Sequence, residues 1–253
     1  MLLELASVTR RFGPKTALDA VSFTVSAGEV VGLAGPNGAG KTTALRLAMG
    51  FLAADVGAVR VLGHDAQRRR HLGEVGWMPE RPSFPPGWRV ESIVGFQAAT
   101  FPSWDGGRAA ELIERLGLDR GQRAESLSRG QAGRVALVLA LAHRPRLLLL
   151  DDPCLGLDPA ARRLVLGELL GAAAEEGCGI LLSTHLLAEA EPALDRLLLL
   201  DGGRLVLDER VDGIGLRSRE AAGAVASSLA GPRDQRAALE DVFVAMTGTG
   251  GPR

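Results

Sequence analysis

The chain has 253 residues, enough for one large domain or two modest ones with proper cores. Hydrophobic content of 46%, charged content of 23% and a net charge of −1 leave no general basic field of the kind that binds nucleic acid. The longest uninterrupted apolar stretch, residues 135–142, is far short of the roughly 18 that a membrane span needs, and MLLELASVTRRF lacks the form of a signal peptide, so neither is expected.

Residues 1–34 alternate in a way that suits β-strands: LLELASVTRRF, then ALDAVSFTVSAG, then EVVGLAG with a turn at Gly28 and Glu29. Next comes GPNGAGKTT, residues 35–43, which fits G-x-x-x-x-G-K-[ST] from Gly35 to Thr42. It follows a strand predicted over 30–34 and precedes a helix predicted over 42–51. Gly35, Gly38 and Gly40 let backbone N–H groups turn inward around phosphates, and the helix aims its positive end at the same anion. Lys41 suits the β- and γ-phosphates, and the Thr42 hydroxyl suits Mg²⁺. Arginine outnumbers lysine 27 to 2 and there is a single Asn, yet Asn37 and Lys41 both sit in this loop. Something at that spot needs those side chains. A GTPase base-reading motif, Asn-Lys-x-Asp, has no residues left to build it, so an adenine nucleotide is favoured.

Short strands are expected over 59–62 and 75–78. The proline-rich ERPSFPPGWRV then gives way to a helix-like apolar run over 92–101. A helix over 109–116 stops at Gly117, and Ser128 is placed to cap another over 130–142. The stretch 83–143 thus reads as a helical insertion between two halves of an α/β core. Residues 146–150 read as a strand whose four successive leucines suit burial on both faces, and it ends on Asp151 and Asp152. A helix over 159–175, a strand over 179–183, a helix over 185–194 and a strand over 197–200 follow, and this alternation implies a parallel sheet. There are no repeats, and the only flexible piece expected is the tail GTGGPR. Cys154 and Cys178, without metal-ligand spacing, read as partly buried thiols of a reduced compartment.

LSRGQ, residues 127–131, stands ahead of the strand ending in Asp-Asp and resembles the LSGGQ signature of ABC ATPases. From there the resemblance to the nucleotide-binding subunit of an ABC transporter spans nearly the whole chain. It implies an α/β P-loop NTPase (RecA-like) core with an antiparallel N-terminal β subdomain over 1–82 and 144–210. A helical subdomain over 83–143 and a short tail over 211–253 complete it. It implies ATP bound by Phe12, whose alternative is core packing, and by Gly35, Pro36, Asn37, Gly38, Ala39, Gly40, Lys41, Thr42 and Thr43. Ser128, Gly130 and Gln131 are implied to cover the γ-phosphate held by a second copy, docked head to tail. VGWMPE, 75–80, resembles the Q-loop stretch with Trp77 for Tyr and Glu80 for the usual Gln, while Arg129 replaces the signature's first glycine. Mg²⁺ is implied at Thr42, Asp151 and Glu80; Asp152, His185 and Glu80 are the implied catalytic group. Residues 155–158 fit the D-loop that bridges subunits, and Ser183-Thr184-His185 resembles the switch histidine.

GFQAATFPSWD, 95–105, and ALEDVFVAMTG, 238–248, resemble bacterial ABC-2-type exporters. The implied partners are a separate membrane permease and a second ATP-binding subunit, at the cytoplasmic face of the plasma membrane, with no nucleic acid. Asp152 stands where the family has Glu, one methylene longer. Three readings stay open: a working though slower ATPase, a subunit that binds ATP but barely turns over and pairs with a Glu-bearing partner, or an ABC protein outside transport. The last is weakened by a single cassette that carries no coiled coil or zinc module.

Overall fold

The computed structural model describes residues 1–68, 72–184 and 193–211. The chain begins with an antiparallel hairpin, β1 (Leu3–Phe12) and β2 (Lys15–Val25), turned at Gly13. Then come β3 (Val30–Ala34), a loop, helix α1 (Lys41–Ala48), β4 (Val56–Val61) and the two-residue β5 (His64–Asp65). β4 pairs with β1 and β5 with β4, which gives one antiparallel sheet in the order β2-β1-β4-β5.

The second sheet adds β6 (Val75–Met78), β7 (Leu147–Asp151), β8 (Gly179–Thr184), β9 (Arg196–Asp201) and β10 (Arg204–Arg210) to β3. Its order is β10-β9-β3-β8-β7-β6, parallel throughout except for the β9–β10 hairpin. Helices α2 (Val90–Thr100), α3 (Gly106–Arg115) and α4 (Arg129–Leu141) run between β6 and β7, and α5 (Pro159–Glu176) joins β7 to β8. Among the described residues no helix is long and apolar enough to cross a membrane.

The central strands are apolar without alternation because both of their faces are covered. In β7, Leu148 and Leu150 enter the core shared with α3, α4 and α5, while Leu147 and Leu149 enter the one shared with α1 and the N-terminal hairpin. In β8, Ile180 and Leu182 face the first core and Leu181 the second. All four β7 leucines are fully buried, each worth about 2 kcal/mol of transfer free energy, so the end of β7 is a firmly held point. The acidic pair is mounted there.

Some boundaries differ from expectation for local reasons. The helix expected over 42–51 stops at Ala48. Gly50 turns left-handed there, and the amides of Gly50 and Phe51 return to the carbonyls of Leu47 and Arg46. β10 was not anticipated: RLVLDER alternates exposed and half-buried residues at a sheet edge, and its charges mask that alternation. The two-residue β5 carried no pattern to read. Of the helix expected over 185–194, residues 185–192 lie outside the described residues, and Leu194 stands outside any helix. The stretch 238–248 and the tail GTGGPR also lie outside the described residues. Cys154 and Cys178 are both buried and carry no disulfide, and burial pushes the Cys178 thiol up to about 12.

Candidate active site

A cleft of about 470 Å³ opens at the carboxyl ends of β3 and β7, a volume in the range of small-ligand sites. Its floor is the loop between β3 and α1. Gly35, Gly38 and Gly40 all have left-handed φ, at 149°, 85° and 112°. A Cβ at Gly35 would run into the Leu200 carbonyl, and one at Gly40 would stand 2.5 Å from the Ala17 carbonyl, so conformation and space both demand glycine there. Helix α1 starts with no side-chain cap and no acidic residue in its first turn. Its leading N–H groups are thus left to an anion in the cleft.

The Lys41 ammonium donates to the carbonyls of Gly35 (2.6 Å) and Pro36 (3.1 Å), inside the curl of the loop. Burial lowers its pKa, and the carboxylates of Asp152, Asp151 and Glu80 oppose that shift. Lys41 thus faces three carboxylates across the cleft. Asn37, Thr42 and Thr43 line the same space. Ala39 is buried and its amide reaches the Pro36 carbonyl, so it shapes the loop from behind.

At the end of β7 the Asp151 side chain is only 4% exposed. Its Oδ1 accepts the Ser183 hydroxyl at 2.7 Å, and Ser183 Oγ in turn accepts the Asp152 amide at 3.0 Å. Asp152 itself adopts a left-handed backbone, φ 55°, and its carbonyl accepts the Leu155 amide as the chain turns away. Asp is several-fold enriched in that conformation, and a longer unbranched side chain gains no such compensation.

Glu80 follows β6 and reaches the cleft from the opposite wall. Its Oε1 lies 3.4 Å from Arg129 and 3.5 Å from Arg81, so the residues at 80 and 129, where the sequence departs from the motifs it resembles, are paired with each other. Arg129 passes along Gly156, where a Cβ would stand 3.2 Å from the Arg129 Cδ. Phe12 is 44% exposed and lines the cleft; it is not core, and the Arg10 guanidinium lies 4.8 Å from its ring centroid.

The remaining expected residues are placed differently. Ser128 and Gln131 form a capping box at the start of α4: Ser128 Oγ accepts the Gln131 amide and Gln131 Oε1 accepts the Ser128 amide. Gln131 also exchanges hydrogen bonds with Gln122. Gly130 packs on Leu157 and Gly156. None of the three lines the cleft that holds Lys41. His185 lies outside the described residues.

Among the cleft-lining residues not singled out as site residues from the sequence are Ser183 and Lys15. Ser183 sits where the strand GILLST turns polar. Lys15 lines the cleft, its Nζ 3.7 Å from where a Cβ on Gly38 would stand. The signal for Lys15 was available. It is the second of only two lysines, and rarity had already marked Lys41.

The donor set fits Mg²⁺. Among the described residues no three His, Cys, Asp or Glu side chains converge as a cage, but this cation prefers one or two carboxylates, water and substrate phosphates. Buried, hydrogen-bonded Asp151 and the Thr42 hydroxyl on the loop supply hard oxygen donors beside the phosphate position.

The ABC transporter family model matches residues 18–155. An ABC transporter ATP-binding protein of Bacillus subtilis is 34% identical over 219 residues, which cover 84% of this chain and 70% of that protein. The Nod factor export ATP-binding protein I of Rhizobium meliloti is 38% identical over 223 residues. There the match covers 82% of this chain and 64% of the relative, so the chain spans less than two thirds of that protein. Among solved structures, an ATP-binding subunit of an ABC transporter aligns at TM-score 0.81 and 27% identity, covering 97% of this chain and 99% of that one.

Proposed function

Since this chain belongs to the ABC transporter family of ATP-binding ATPases, we propose that it hydrolyses ATP in a head-to-tail dimer to drive export through a separate membrane permease. On this reading 1–82 and 144–210 are the ATP-binding core, 83–143 the helical subdomain and 211–253 a short tail. The observation that carries it is the convergence of Phe12, the 35–43 loop, Asp151, Asp152 and Glu80 on one cleft. The name of the Rhizobium relative, an export ATP-binding protein, supports the direction of transport.

The chain's own groups divide the work. Phe12 offers an aromatic face for adenine. The loop amides and α1 hold the phosphates, and Lys41, already directed into the loop, neutralises charge as the γ-phosphoryl departs. Asp151 and Thr42 would hold a Mg²⁺ ion, which would supply Lewis-acid charge neutralisation at the phosphates. Asp152 aligns the attacking water and takes its proton, with His185 assisting and Glu80 at the metal or water.

Ser128, Gly130 and Gln131 act in trans on the partner's ATP. Because Ser128 Oγ accepts from Gln131 N, its own proton stays available for a phosphate oxygen. A working ATPase is favoured over a binding-only subunit because Asp152 suits the left-handed turn it occupies. The test is phosphate release by the full chain with Mg·ATP, which Asp152→Asn should lower by about 10²-fold or more. ATP binding without phosphate release in the wild type would favour the binding-only reading instead.

A further inference from the structure

The parallel register of β7 and β8 sets Ser183 directly beside Asp151. A serine there is locally unfavourable: it is 1% exposed, it follows Ile180, Leu181 and Leu182, and a buried hydroxyl is costly unless hydrogen-bonded. Its one proton goes to Asp151 Oδ1 and one of its lone pairs receives the Asp152 amide. A single hydroxyl therefore fixes the rotation of the first carboxylate and pins the backbone of the second in its left-handed turn.

We infer that Ser183 is a positioning residue for hydrolysis, holding Asp151 toward the metal and Asp152 toward the water. This rests on the ATPase reading above. Without the hydroxyl, Asp151 Oδ1 loses the donor that sets its rotation and the Asp152 amide loses its acceptor, leaving the Leu155 amide on the Asp152 carbonyl. Outer partners of metal-binding carboxylates typically account for about 10- to 100-fold in metal affinity or activity. A hydroxyl that served only to satisfy a buried carboxylate would change stability and leave the metal dependence where it was.

The full chain is compared with Ser183→Ala, Ser183→Cys and Ser183→Thr. Thermal unfolding, steady-state phosphate release and binding of a fluorescent ATP analogue across a Mg²⁺ titration are measured for each. Cysteine keeps the volume with a weak hydrogen-bonding group, so it decides the matter even if the alanine variant does not fold. The expected result is a kcat about 10- to 100-fold lower for Ala and Cys and a Mg²⁺ half-saturation roughly 10-fold higher, with KM for Mg·ATP at saturating Mg²⁺ little changed. Threonine, which retains the hydroxyl, recovers both. Wild-type kcat and Mg²⁺ dependence in folded Ser183→Cys would overturn the inference, as would a threonine variant as impaired as cysteine. Wild-type protein that releases no phosphate would overturn the ATPase reading and the inference with it.

Discussion

At the scale of single residues, Asp152 joins a conformational preference to a chemical demand. Its φ of 55° belongs to a region that Asp tolerates better than Glu, because the short carboxylate interacts with nearby backbone. Lengthening the side chain moves the carboxylate nearer the family's usual position, and about 1 Å of displacement can change a rate by on the order of 10²-fold. Asp152→Glu is therefore expected to raise ATP turnover while costing on the order of 1 kcal/mol of unfolding free energy. Paired phosphate-release and urea-unfolding measurements check the two halves separately. A variant that was faster and equally stable would mean that the left-handed turn exerts no choice between Asp and Glu. Lys15 belongs to the same scale. Both of the chain's lysines line the cleft, but only the chain's path around it brings Lys15 to Gly38.

At the scale of elements, signals carried by local chemistry were readable and those made by pairing across the chain were not. Ser128 was legible as a cap because a hydroxyl before an apolar run accepts a first-turn amide, and the box with Gln131 is what formed. The apolar run into Asp151 was legible as a doubly buried strand, and Val75–Met78 had the expected limits. The pairing of Glu80 with Arg129 was not legible, since it joins residues far apart in sequence that meet only when α4 packs against β6. β10 was missed because a charged edge strand needs only its neighbour's backbone, here β9, and little apolar patterning. The capping box gives this scale its prediction. Ser128→Ala should lower stability by about 1 kcal/mol, read as a shift in the urea midpoint at constant slope. Because the same hydroxyl is proposed to meet the partner's phosphate, turnover should fall by more than that loss of stability explains.

At the scale of the whole molecule, the proposed site is complete only with a second copy. The cleft that holds Lys41 is lined by Asp151, Asp152, Glu80 and Arg129, whereas Ser128, Gly130 and Gln131 stand at the start of α4, outside it. On the proposed head-to-tail reading, the exposed Ser128 would meet a nucleotide held by the partner. A net charge of −1 opposes association only weakly, and in the proposed dimer an ATP held at Lys41 would bridge to the start of the partner's α4. Hydrolysis would remove that bridge, so on this reading the wild-type dimer would be transient. Asp152→Asn, slow at hydrolysis but able to keep the left-handed turn, should accumulate as an Mg·ATP-bound dimer in light scattering and return to monomer when ADP replaces ATP. Adding Ser128→Ala to that variant should weaken the dimer, because it removes a hydroxyl that only the partner's ATP would use. If the doubly substituted protein dimerised as tightly as Asp152→Asn alone, the Ser128 hydroxyl would contribute nothing across the interface. Its work would then be confined to the helix it caps.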